Sequence, residues 1–314
     1  MAGLGGTMTD SNQRTVGIIG LGAIGGGVAA SWLRAGLRVV GCDLNKDALA
    51  AFTDAGGEAA ATAADVGRAA EVVFLFVVNA DQARGVLFAD GGLADFMPAD
   101  GIVVSCVTMA PSDASAIAAE LTARGLRMID APTSGGAANA AAGKTKFMAA
   151  GVPDDIARAQ YALDAAADTV YRVGDEPGQG ASVKVVHQLL TGVHISAAME
   201  AVALGIKMGL DPARLYEVVT GCAGNSWMFE NRVPHVLDGD YTPLSAVEIF
   251  VKDLGLVLDA GRQERFPLPI AAAAHQQFLA ASAAGYGRED DAAVIKVYRD
   301  LAGLELPAEK DGEG

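Results

Sequence analysis

The sequence predicts an α/β protein: an N-terminal Rossmann-type dinucleotide-binding domain followed by an all-α C-terminal domain, joined by a long interdomain helix. Three observations carry this expectation. Up to about residue 173, short β-type runs alternate with alanine-rich helical stretches. A cluster of turn formers, GDEPGQG, occupies 174–180. Beyond it the β-type runs disappear.

The runs are TVGIIG (15–20), RVVGCD (38–43), EVVFLFVV (71–78), GIVVSCV (101–107), LRMID (126–130), KFMAAG (146–151) and DTVYRV (168–173). They are apolar and rich in β-branched residues. Helical stretches such as 25–36 and 111–124 separate them. That alternation implies a parallel sheet with helices on both faces. Residues 181–209 read as one helix, spanning roughly 43 Å at 1.5 Å per residue. Further helices fill 211–306, opened by Asp211-Pro212 as N-cap and first helical proline. The expected domains are 15–177 for the dinucleotide and 178–306 for substrate and oligomerisation. Residues 1–14 read as a flexible leader, without the basic start and apolar core of a signal peptide. Residues 307–314 read as a polar tail.

Composition narrows the function. The chain of 314 residues carries a formal net charge of -15, so neither nucleic acid nor an anionic membrane surface is an expected partner. No apolar run approaches the roughly 20 residues of a membrane helix. Cys42, Cys106 and Cys222 are odd in number and lack CxxC spacing, which fits reduced, buried thiols in a cytoplasmic protein.

Gly20, Gly22 and Gly25 have G-x-G-x-x-G spacing directly after the first run and at the start of a helical stretch. The first glycine allows a tight turn, the second lets a pyrophosphate approach the backbone, and the third lets helix and strand pack closely. Leu21, Ala23 and Ile24 complete this cofactor-binding turn. Asp43 ends the next run, where a carboxylate holds ribose hydroxyls and repels a 2′-phosphate, so NAD is the expected cofactor. Lys46 nearby weakens that preference slightly. Ser134, Gly135 and Gly136 follow the LRMID run and offer a hydroxyl and backbone N–H groups to a substrate carboxylate. Lys184 sits in the first turns of the long helix, where a depressed pKa would suit a general acid/base. Gln188 lies one turn on, placed to hold a substrate hydroxyl. His187 is either an ordinary helix histidine or a pocket residue. No His/Asp/Glu cluster has metal-ligand spacing, so no metal is expected.

These motifs occur in one order, and the chain resembles the β-hydroxyacid dehydrogenases, the family of 3-hydroxyisobutyrate dehydrogenase. GLGAIG (20–25) matches the family's nucleotide motif with Ile24 for methionine. DAPTSGG (130–136) matches its substrate motif with Thr133 for valine. GQGASVKVVHQ (178–188) matches its catalytic motif, with His187-Gln188 in place of Asn-Asn. FVKDLGL (250–256) resembles its later lysine motif. The resemblance implies that Lys184 is catalytic and that Ser134, Gly135 and Gly136 hold the carboxylate. It implies that Gln188 replaces an orienting asparagine. Lys252 and Asp253 then lie on the cofactor side with Lys252 reaching the cofactor, and Asn79 and Thr108 lie near the nicotinamide. Trp227 and Phe250 either wall the pocket or pack in the core.

The departures are similar to the branch of the family that oxidises a four-carbon sugar acid, the L-threonate dehydrogenases. His187 and Gln188 add hydrogen-bonding capacity suited to a polyhydroxylated acid. D-erythronate, tartronate semialdehyde or 3-hydroxyisobutyrate are alternative substrates. A non-enzymatic NAD-binding regulator is a distant alternative, with no reason to keep Lys184. A homodimer or homotetramer is expected.

Overall fold

The structure, a computed structural model, describes residues 14–309. Most of the expected leader and of the expected tail falls outside the described residues. The chain divides into two compact units, with the division after Ser182.

In the first unit the elements are β1 (Thr15–Ile19), α1 (Ala23–Arg34), β2 (Arg38–Cys42), α2 (Lys46–Asp54), β3 (Glu58–Ala59), α3 (Ala63–Ala69), β4 (Val72–Leu75) and α4 (Ala80–Phe88). They continue with β5 (Ile102–Ser105), α5 (Pro111–Ala123), β6 (Arg127–Asp130), β7 (Thr133–Ser134), α6 (Gly136–Ala141), β8 (Thr145–Ala150), α7 (Pro153–Ala166) and β9 (Ala167–Gly174). One sheet results, in the order β3-β2-β1-β4-β5-β6-β8-β7, with β9 also on β8. Strands β1 to β6 pair in parallel. The expectation of a parallel sheet needs one correction. Strand β8 runs antiparallel to β6 and β7, while β9 is parallel to β8. The chain turns back through α6 rather than crossing over, so β8 enters the sheet reversed. β4 and β5 are buried at every position, as strands covered on both faces must be.

The second unit is helical. α8 (Gln179–Lys207) begins in the first unit and runs on, followed by α9 (Pro212–Thr220), α10 (Trp227–Asp238), α11 (Val247–Gln263), α12 (Pro269–Ala281) and α13 (Val294–Ala302). Asp211 caps α9, its side chain accepting from Arg214 N, and Pro212 is the first helical residue. α8 corrects a second expectation. It is long and apolar enough to cross a membrane. Single glycine, threonine and histidine residues interrupt its apolar positions in the sequence. Yet Ile195, Met199 and Val202 are fully buried in the core of this unit, as in the core helix of a globular protein. The cysteines give a third correction: Cys106 is buried and Cys42 half-buried, but Cys222 is exposed in the turn after α9.

Candidate active site

The nucleotide turn forms as the three glycines dictate. Gly20 has φ 93°, and a Cβ there would lie 2.3 Å from the Phe76 carbonyl. A Cβ on Gly25 would meet the Gly20 carbonyl at 2.0 Å. Both positions exclude any side chain, the first by conformation and the second by helix–strand packing. A Cβ on Gly22 would meet nothing within 4 Å, so the backbone at the start of α1 is bare and open. That opening and the N-terminal N–H groups of α1 fit a pyrophosphate. Asp43 follows β2. Its Oδ2 accepts from Leu21 N at 2.5 Å and its Oδ1 from Asn45 N at 2.7 Å. A carboxylate has about four acceptor sites, so capacity for ribose hydroxyls remains. The residues present therefore fit a dinucleotide.

Thr108 follows β5 and Asn79 follows β4, both at carboxyl ends of neighbouring parallel strands. Asn79 also caps α4, its side chain accepting from Gln82 N at 2.9 Å. Ser134 ends the short strand β7, paired with Lys146 of β8, and Gly135 and Gly136 follow it. Gly135 (φ 122°) and Gly136 (φ 71°) turn the chain into α6. Asn139 Nδ2 donates to the Gly135 carbonyl at 2.9 Å and pins this turn, a role no motif signalled. Gly20–Gly25 and Thr108 thus follow the carboxyl ends of the central strands β1 and β5, where ligands bind in open α/β sheets, whereas Ser134 lies on the edge strand β7.

Asp130, to which the sequence assigns no role of its own, supports the start of α8. It is 1% exposed at the end of β6. Its Oδ2 accepts from Gly178 N and from Ala181 N, each at 2.8 Å. It thereby caps the start of α8, the helix that carries Lys184. Burial raises its pKa, and these backbone bonds oppose that rise. The two motif glycines are explained here. Gly178 has φ 103°, and a Cβ on Gly180 would lie 2.5 Å from the Asp130 carbonyl. The G-x-G spacing before the lysine was the available signal.

In the second unit Lys184 is buried, at 8% exposure. Its Nζ donates to Gln188 Oε1 at 3.0 Å. Desolvation lowers its pKa to about 8; the charge of Asp253 opposes this fall and that of Lys252 adds to it. The same Gln188 Oε1 lies 2.9 Å from His187 Nδ1. Burial, and then the Lys184 charge, push the His187 pKa below its ordinary value. Gln188 Nε2 donates to Asp253 Oδ2 at 2.5 Å. Lys252 Nζ lies 2.6 Å from Asp253 Oδ1. All five candidates of this unit, Lys184, His187, Gln188, Lys252 and Asp253, therefore belong to one cluster. Phe250 is 3% exposed and stacks on Phe278, so it packs in the core, while Trp227 is exposed. Among the described residues no group of three or more His, Cys, Asp or Glu side chains could hold a metal ion.

The first unit carries the glycine turn of a dinucleotide site and the second a buried lysine with its pKa lowered to about 8, two features that a nicotinamide-dependent oxidoreductase uses. The comparisons agree. Residues 15–174 match the NAD binding domain of 6-phosphogluconate dehydrogenase. Residues 178–298 match the family described as NAD-binding of NADP-dependent 3-hydroxyisobutyrate dehydrogenase. The chain is 53% identical over 299 residues to L-threonate dehydrogenase of Cupriavidus necator, covering 95% of this chain and 100% of that one. It is 48% identical over 304 residues to L-threonate dehydrogenase of Escherichia coli K12, covering 96% and 100%. The crystal structure of 3-hydroxyisobutyrate dehydrogenase from Salmonella typhimurium superposes with TM-score 0.86 at 52% identity, covering 91% and 100%. The chain belongs to the 3-hydroxyisobutyrate dehydrogenase-like family of β-hydroxyacid dehydrogenases. It is an NAD-dependent oxidoreductase acting on a CH–OH group.

Proposed function

We propose that this enzyme oxidises the C2 hydroxyl of L-threonate to the 2-oxo acid, with NAD as cofactor and Lys184 as general acid/base. The observation that carries the reading is the buried Lys184, with its pKa brought to about 8 and its Nζ held on Gln188. Identity of 47–53% to five curated L-threonate dehydrogenases over nearly the whole chain supports the substrate.

In this reading Gly20, Leu21, Gly22, Ala23, Ile24, Gly25 and Asp43 hold the dinucleotide, with Asn79, Thr108 and Lys252 beside it. NAD held by these residues would supply the acceptor for the hydride that leaves the substrate's C2. Lys184, as the free amine, takes the hydroxyl proton on Nζ. The C2–O bond then becomes a carbonyl, so two electrons and one proton are accounted for. Ser134, Gly135 and Gly136 hold the carboxylate. His187 and Gln188 supply hydrogen bonds to a polyhydroxylated chain. Residues 15–177 serve the dinucleotide and residues 178–306 the lysine cluster. The same reading makes the enzyme a cytoplasmic homodimer or homotetramer. It is supported by an apolar stripe left exposed on α8 at Val183, Val186, Leu190 and Leu204.

A second reading takes 3-hydroxyisobutyrate as substrate, because the Salmonella structure of 52% identity bears that name. Reduced-cofactor formation on L-threonate, D-erythronate and 3-hydroxyisobutyrate, and its consumption on tartronate semialdehyde, with NAD and NADP in parallel, separates them. L-threonate with NAD is expected to give the highest kcat/KM. Lys184→Ala is expected to lower kcat by about 10²–10⁴-fold, the usual contribution of a general acid/base. A variant retaining near wild-type kcat would overturn the mechanism.

A further inference from the structure

Asp253 lies on α11 and is 2% exposed. Its Oδ2 accepts from Gln188 Nε2 at 2.5 Å, across 65 residues of sequence. A carboxylate accepts and does not donate, so the edge of the Gln188 amide facing it is the nitrogen. The oxygen edge is then fixed toward Lys184 Nζ at 3.0 Å and His187 Nδ1 at 2.9 Å. An amide oxygen only accepts, so His187 Nδ1 carries a hydrogen. Thr191 agrees with this assignment. Its hydroxyl donates to the His187 carbonyl at 2.9 Å, which leaves Oγ1 as a second acceptor 3.4 Å from the same Nδ1. Burial and the neighbouring lysine charge keep the ring neutral at pH 7. Its Nε2 therefore carries a lone pair.

We propose that Asp253 is a positioning residue: through the Gln188 amide it sets His187 as the Nδ1–H tautomer and aims an acceptor at Lys184 Nζ. A ring set this way offers an acceptor and not a donor at Nε2, which favours a hydroxyl over a carboxylate as the group it meets. This last consequence rests on the polyhydroxy-acid reading of the site, whereas the tautomer does not. The geometry gives Asp253 this work in addition to any contact with the cofactor.

The test is nitrogen-15 NMR of the full chain labelled at its four histidines, with the His187 signals assigned by their loss in His187→Gln. Wild type is expected to show His187 protonated at Nδ1 and bare at Nε2. In Asp253→Ala the amide loses its anchor, and the signals are expected to move toward the Nε2–H form. Asp253→Asn keeps one acceptor for Gln188, so the tautomer is expected to persist. Its charge is gone, so the pH midpoint of kcat for L-threonate is expected to fall below the wild-type midpoint. A wild-type His187 protonated at Nε2 overturns the proposal, whether or not Asp253→Ala folds. So does a folded Asp253→Ala with wild-type tautomer and wild-type pH profile. Because the tautomer is read without substrate, inactivity on every acid tried would sink the proposed function and leave this reading standing.

Discussion

At the scale of single residues, Lys184 is controlled by competing electrostatic effects. Burial disfavours the ammonium, Asp253 favours it, Lys252 disfavours it, and the balance falls near 8. Oxidation needs the free amine. Its kcat is therefore expected to rise about tenfold per pH unit below the midpoint near 8 and level off above it. Reduction of the 2-oxo acid needs the ammonium and is expected to fall above the same midpoint. Initial rates in both directions from pH 6 to 10 check this; a rising limb that survives in Lys184→Ala would assign it to another group. The lysine itself was legible, because its spacing from the glycines and its place in an apolar run marked it. The contact that anchors its neighbour Gln188 was not, although the resemblance places Asp253 on the cofactor side. Asp253 reaches Gln188 from another helix, and no local pattern encodes that pairing.

At the scale of elements, the start of α8 depends on one carboxylate. Asp130 belongs to the stretch read as a substrate motif, yet its Oδ2 is engaged by the Gly178 and Ala181 amides. Asp130→Ala strips two buried N–H groups of their acceptor. It is expected to destabilise the fold by about 1–3 kcal/mol and to lower kcat by misplacing the lysine's helix. Asp130→Asn retains an acceptor and is expected to recover most of the stability. Urea unfolding of both variants, paired with kcat, tests this; an Asp130→Ala protein as stable as wild type would refute the capping role. Most of the main strands were legible because they are largely buried apolar runs of four or more residues, β9 being the exception with no buried position. β3 and β7, two residues each, are too short for any periodicity to register. The reversal of β8 was hidden for another reason. The turn through α6 looks in sequence like any other strand–helix–strand passage, and the antiparallel pairing of Asp130 with Ala150 and of Thr133 with Phe147 is what shows the chain doubling back.

At the scale of the whole molecule, the helical unit is held by ion pairs that composition hid. A chain with 23 basic and 38 acidic residues reads as a protein with solvated charges. Yet Arg232 on α10 is 7% exposed and its Nε donates to the fully buried Asp291 at 2.6 Å. Neighbouring Asp290, also fully buried, accepts from Leu244 N at 2.9 Å. Arg232→Ala leaves the Asp291 carboxylate buried without its cation. It is expected to cost about 3–5 kcal/mol, read from chemical denaturation. A loss below 1 kcal/mol would mean that the pair contributes little.

The uneven setting of the three thiols has a practical consequence. Burial pushes the Cys42 thiol up to about 11 and raises that of Cys106 as well, so neither offers much thiolate near neutrality. Cys222 alone stands open to reagent. A native preparation is therefore expected to take up one equivalent of a thiol-specific dye rapidly and the remaining two only as the chain opens. The labelling stoichiometry would then time the unfolding of the sheet domain, while the first dye marks the turn after α9 in the helical one.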